Sequence, residues 1–102
     1  MINPMTAGLP PTHPGEILRE DILPAVGKPK AEIARLLGVS RQHLYDILGE
    51  RKPITSQMAL RLAKMFGTTP ELWLRMQQAH DLRIDAAEMA DELEKIPHLE
   101  AA

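Results

Sequence analysis

The run from Ala31 to Leu48 places the tightest constraint on what this chain can fold into. Ile33, Ala34 and Leu37 recur at i, i+1 and i+4, which gives one helix a single apolar face. Gly38 follows where a left-handed residue ends a helix, and Val39 is placed to plug a corner. Ser40 then caps a second helix that continues to Leu48 and stops at Gly49. Two short helices joined by so tight a turn define a helix-turn-helix, the arrangement that places its second helix in the major groove of DNA.

At about 100° per residue, Leu44, Ile47 and Leu48 share the core-facing side of the second helix. Gln42 and Asp46 lie opposite with Tyr45 close by, and Arg41 and His43 flank them near the N-terminal end. These five form the predicted reading face. Guanidinium and carboxamide groups bind base edges in pairs of hydrogen bonds, so Arg41 and Gln42 are the first candidates for base contact. Tyr45 suits a thymine methyl or a phosphate. Asp46 has three readings: it accepts from cytosine, repels phosphate, or orients Gln42 one turn earlier, and the i, i+4 spacing favours the third.

The chain of 102 residues suits one domain with one core. With a single Trp, Tyr and Phe that core must be aliphatic, a palette that favours helices. The absence of Cys excludes disulfides and thiolate metal sites. No cofactor is expected, and neither a leader nor a long apolar run is present, so the expectation is a cytoplasmic protein with no membrane contact. The net charge of −2 is unevenly spread. Residues 28–66 hold eight bases and three acids, whereas residues 67–102 hold three bases and eight acids. The basic third contains the helix pair, and Lys28, Lys30, Arg51 and Lys52 bracket it as candidate phosphate contacts, joined by Ser40.

The remaining segments complete an all-α plan of five helices and a C-terminal addition. Residues 1–11, with three prolines and no charge, read as a flexible arm. From His13 a first helix has Pro14 at its first position, turns Ile17, Leu18 and Ile22 inward, and is expected to end at Pro24. Thr55 caps a helix to Phe66 with Ala59, Leu62, Ala63 and Phe66 on its stripe and Gly67 closing it, and Thr69-Pro70 opens a fifth carrying Leu72, Trp73 and Met76. Those last three are candidates for a dimer contact, although a Trp at such spacing is more often core. The domain is thus expected over 12–80, with an amphipathic extension over 81–102. There Leu82, Ala86, Met89, Leu93 and Ile96 are spaced like an a/d seam, able to pair with another chain or to pack on its own domain.

Catalysis finds no support. Ser40, His43 and Asp46 step along one helix surface without an oxyanion hole, and the four histidines lack metal-ligand spacing. No phosphate-binding Gly-rich loop or internal repeat is present.

Four segments together carry a resemblance: His13-Pro-Gly-Glu-Ile-Leu18, Leu37-Gly-Val-Ser-Arg-Gln-His-Leu44, Ile54-Thr-Ser-Gln-Met-Ala-Leu-Arg-Leu-Ala63 and Phe66-Gly-Thr-Thr-Pro-Glu-Leu-Trp-Leu74. Over roughly residues 12–82 the chain resembles HigA-type antitoxins of the Xre, or lambda-repressor-like, helix-turn-helix class. Pro29 departs from the class, which usually has Ser or Thr capping the first helix of the pair, at a cost of about 1 kcal/mol. The resemblance implies a five-helix lambda-repressor-like domain, a homodimer on a palindromic operator in its own operon, and a HigB-like toxin partner, a RelE-related ribonuclease. A stand-alone or phage-type regulator without a toxin is the alternative.

Overall fold

The computed structural model describes residues 12–101, and the expected arm lies outside the described residues. Six helices and no strand occur among the described residues. The first, α1 (residues 14–26), starts on His13, whose Nδ1 accepts from the Gly15 N–H at 2.9 Å. Burial and then the neighbouring His80 hold the His13 imidazole below its usual pKa, which keeps that nitrogen an acceptor.

Pro24 does not end α1. The chain makes a π-helical turn over Leu18–Ile22 and then continues through Leu23–Val26, ending at Gly27 with φ 75°. A proline in a helix interior lacks its N–H and crowds the carbonyl four residues back, and the wider turn ahead of Pro24 accommodates both. The turn also inserts one residue into the register. Leu18 and Leu23 become the buried pair, while Ile17 and Ile22, expected in the core, stay half-buried.

The helix pair follows expectation more closely. α2 (Lys30–Leu37) starts from Pro29 without a side-chain cap, buries Ile33, Ala34 and Leu37, and ends at Gly38 with φ 78°. α3 (Arg41–Leu48) is capped by Ser40, whose Oγ accepts from the His43 N–H at 3.0 Å, and buries Leu44, Ile47 and Leu48. α4 (Ser56–Phe66) is capped by Thr55 and buries Met58, Ala59, Leu62 and Ala63. α5 (Pro70–Glu88) is capped by Thr69 and runs without a break past the boundary expected at residue 80. A short α6 (Ala90–Glu94) follows after Met89.

One core, to which α6 contributes nothing, joins α1 to α5: mostly Leu, Ile, Met and Ala, closed by Trp73. Its polar content is satisfied: Gln77 is buried, accepts from the Ile54 N–H at 2.8 Å and donates to Asp81 at 3.0 Å. The linker between α3 and α4 is thereby tied to α5.

Candidate nucleic-acid interface

The core fixes which side of α3 faces outward. With Leu44, Ile47 and Leu48 buried, Arg41, Gln42 and Tyr45 are exposed and His43 and Asp46 half-exposed. All five predicted reading residues therefore lie on the accessible part of one helix, within two turns.

Asp46 organises that surface. Its Oδ1 accepts from Gln42 Nε2 at 2.9 Å and from Arg51 Nε at 3.1 Å, and Oδ2 lies 3.5 Å from Lys52 Nζ. The hydrogen bonds from Gln42 and then Arg51 hold its carboxyl below the usual carboxylate range, so it is ionised near neutral pH. Arg51 also donates to the Tyr45 carbonyl at 3.2 Å, closing the turn after α3. Of the three roles open to Asp46, orientation of Gln42 is the one this geometry displays. Nothing links Asp46 to His43, and Ser40 is engaged as the cap, so the three share a helix without forming a relay.

The five phosphate candidates differ in their surroundings. Lys28 lies 3.8 Å from Glu32, which is also 3.7 Å from Arg35. Asp46 is likewise shared between two bases, Arg51 and Lys52. Glu32 and Asp46 therefore each leave one unit of positive charge in their cluster. Lys30 and Arg41 have no ion pair or side-chain hydrogen bond among the described residues, and stand ready for an anion. The Ser40 oxygen accepts from His43, and its hydroxyl proton stays available as a donor.

Residues that spacing alone did not single out hold the two helices in place. Arg61 of α4 donates to the Leu37 carbonyl at 2.7 Å, and Arg19 of α1 donates to the Leu48 carbonyl. Each helix of the pair thus has its C-terminal carbonyls bound by an arginine from outside the pair, where cations are also favoured by the helix dipole. Sequence separations of 24 and 29 leave no periodic signal for such contacts. Gly15 contributes by its size, because a Cβ there would overlap the Ile47 carbonyl oxygen in α3.

The three expected dimer residues separate. Trp73 is 1% exposed inside its own protomer and donates from its indole N–H to Thr68 Oγ1 at 2.8 Å, so it is a core residue. Met76 is half-buried, and Leu72 alone of the three is well exposed. The seam beyond them is not packed on its own domain: Leu82, Met89, Leu93 and Ile96 are all exposed. No helix among the described residues is long and apolar enough to cross a membrane.

A tightly turned helix pair with an outward α3 and an aliphatic five-helix core defines an Xre-type helix-turn-helix fold. Comparison with known proteins agrees: residues 18–73 match the helix-turn-helix family, and the chain belongs to it. Virulence-associated protein I of Dichelobacter nodosus is 42% identical over 76 residues, 74% of this chain and 70% of that protein. Among solved structures, antitoxin GraA in complex with its operator is 41% identical, with TM-score 0.84 and coverage of 99% of both chains. The Pseudomonas aeruginosa antitoxin HigA with the higBA promoter is 34% identical at TM-score 0.81, covering 88% of this chain and 99% of that one. The structural neighbours thus include HigA-family antitoxins, as the four sequence segments imply.

Proposed function

We propose that this chain is the antitoxin of a toxin–antitoxin pair. It binds operator DNA as a homodimer, represses its own operon and neutralises a HigB/RelE-like ribonuclease. The observation that carries the DNA reading is the outward face of α3, where Asp46 holds the Gln42 amide and Arg41 stays unpaired, with Lys30 unpaired at the start of α2. A carboxamide held by a neighbouring carboxylate loses less freedom when it pairs with an adenine edge, and the unpaired cations displace counterions from phosphate. One short helix reads too few base pairs for specificity, so two copies on half-sites about one DNA turn apart are required.

The test is electrophoretic titration against the DNA upstream of the chain's own gene and against a scrambled duplex. Arg41→Ala and Gln42→Ala each weaken specific binding by about 1 to 3 kcal/mol. Lys30→Ala weakens both duplexes alike and flattens the salt dependence by about one phosphate contact. Asp46→Ala narrows the preference for operator over scrambled DNA, because Gln42 is released while Arg51 and Lys52 stay cationic. An Arg41→Ala protein that binds its operator as tightly as wild type would place the reading surface elsewhere.

Toxin neutralisation is supported by the likeness to HigA-family antitoxins and by the acidic balance of residues 67–102, a field suited to a cationic enzyme. The competing contact is the arm over residues 1–11. Separate deletion of residues 1–11 and 83–102, followed by co-purification with the neighbouring gene product, assigns the surface. If no neighbouring product co-purifies or inhibits growth, the chain is a plain transcriptional regulator.

A further inference from the structure

Two apolar surfaces of the protomer lie open, and they are bordered by opposite charge. The first is a groove of 580 Å³ between α2 and α4, lined by Leu36, Leu37, Leu60, Arg61, Lys64 and Met65. Leu36 and Leu60 on its walls are 50% and 59% exposed, and the rim is basic. The second is the seam Leu82, Ala86, Met89, Leu93 and Ile96 along the end of α5 and α6, where Leu82 is 70% and Ile96 64% exposed. Asp85 and Glu92 border one edge of that seam, and the third of the chain that carries it holds eight acids against three bases. Within one protomer the seam is solvent-facing and the groove is empty, so neither covers the other.

We propose that the seam of one copy seats in the α2–α4 groove of a second copy, and the reverse, so that Lys64 on the groove rim faces the acidic edge of the partner's segment. Each copy supplies one groove and one segment, so a two-fold axis closes the pair and leaves neither apolar surface open. Opposite charge at the rim fixes the direction in which the segment lies. A seam-to-seam coiled coil is less suited to the same residues: the helix is interrupted at Met89, and about two heptads give too short an interface. The inference rests on the homodimer part of the proposed function and specifies the surfaces that build it.

Sedimentation of the full chain without DNA or toxin tests it, with circular dichroism as the check on folding. Leu60→Asp breaks the groove, and Leu93→Asp breaks the seam. Each alone weakens dimerisation by about a hundredfold, because the altered contact occurs twice per dimer. Mixed in equal amounts, the two proteins form a heterodimer more tightly than either forms its own dimer, since one intact groove then meets one intact seam. Lys64→Glu, a milder change at an exposed position, weakens the dimer by about tenfold, and adding Glu92→Lys to the same chain restores it. A Leu60→Asp protein that dimerises like wild type while Leu93→Asp does not would establish the coiled coil instead. A folded Leu93→Asp protein that stays dimeric would move the interface off the seam altogether. A monomeric wild type would overturn the homodimer reading itself, whereas a dimeric wild type insensitive to these changes would overturn only the assignment of surfaces.

Discussion

Trp73→Ala lowers the free energy of unfolding by about 3 to 5 kcal/mol, a large part of the 5 to 15 kcal/mol that holds a typical domain together. The side chain is 1% exposed and is the largest fully buried one in the protomer, at the point where the first turns of α5 close the core over α4. Truncation leaves a cavity that surrounding Leu and Ile side chains fill only in part, because rigid helices carry them. It also leaves Thr68 Oγ1 without its indole partner, a minor loss, since Thr68 is exposed and water replaces the donor. Trp73→Phe keeps most of the ring volume and costs about 1 to 2 kcal/mol. Urea titration followed by far-ultraviolet circular dichroism measures both, since the chain's single Trp is removed as a fluorophore. The expected loss persists at every protein concentration, which distinguishes a core residue from an interface anchor, whose loss would fade on dilution below the dissociation constant. An Ala variant within about 1 kcal/mol of wild type would mean that the core closes without Trp73.

That Trp illustrates what the sequence could and could not convey. Helical spacing placed Leu72, Trp73 and Met76 together, but spacing reports only that residues are near one another on a helix, not whether the neighbour is the same chain or another. Signals that act within a few residues were legible: Ser40, Thr55 and Thr69 cap helices where they were expected to, and Gly38 and Gly67 end them with φ 78° and 68°. Gln42 and Asp46 could be paired in advance for the same reason, since four residues on a helix is one turn. Signals that depend on the rest of the fold were not legible. Pro24 reads locally as a stop, yet packing of α1 on the core carries the helix past it through a π turn, and Leu23 displaces Ile22 from the interior. Gly49 does end α3, as its position implies, but it does so at φ −85°, and the left-handed conformation falls one residue later to Glu50 at φ 60°. Arg51 and Lys52 looked like plain phosphate contacts because their shared attachment to Asp46 depends on how the chain turns after α3.

Gly15→Val costs about 3 kcal/mol and weakens operator binding beyond the loss of folded protein. The reason is steric rather than conformational. A Cβ built on Gly15 would overlap the Ile47 carbonyl oxygen and come within 3.0 Å of His13 Nδ1. The obstructing atom is backbone in the last turn of α3, so it cannot swing aside as a long side chain would. Either α1 withdraws from α3 or α3 tilts, and both choices disturb the Arg19 hydrogen bond to the Leu48 carbonyl that holds the end of α3. The reading face is then presented at the wrong angle, and base contacts tolerate little misplacement. Gly67→Ala is the control, because Gly67 has φ 68° and nothing within 4 Å of where its Cβ would be. It carries backbone strain of about 1 kcal/mol and leaves α3 where it is, so its operator affinity per folded molecule is unchanged. Unfolding titrations and electrophoretic binding on the same preparations separate the two effects. If Gly15→Val matched Gly67→Ala in both, the close approach of α1 to α3 would not be what orients the reading helix, and Arg19 would be left to hold it alone.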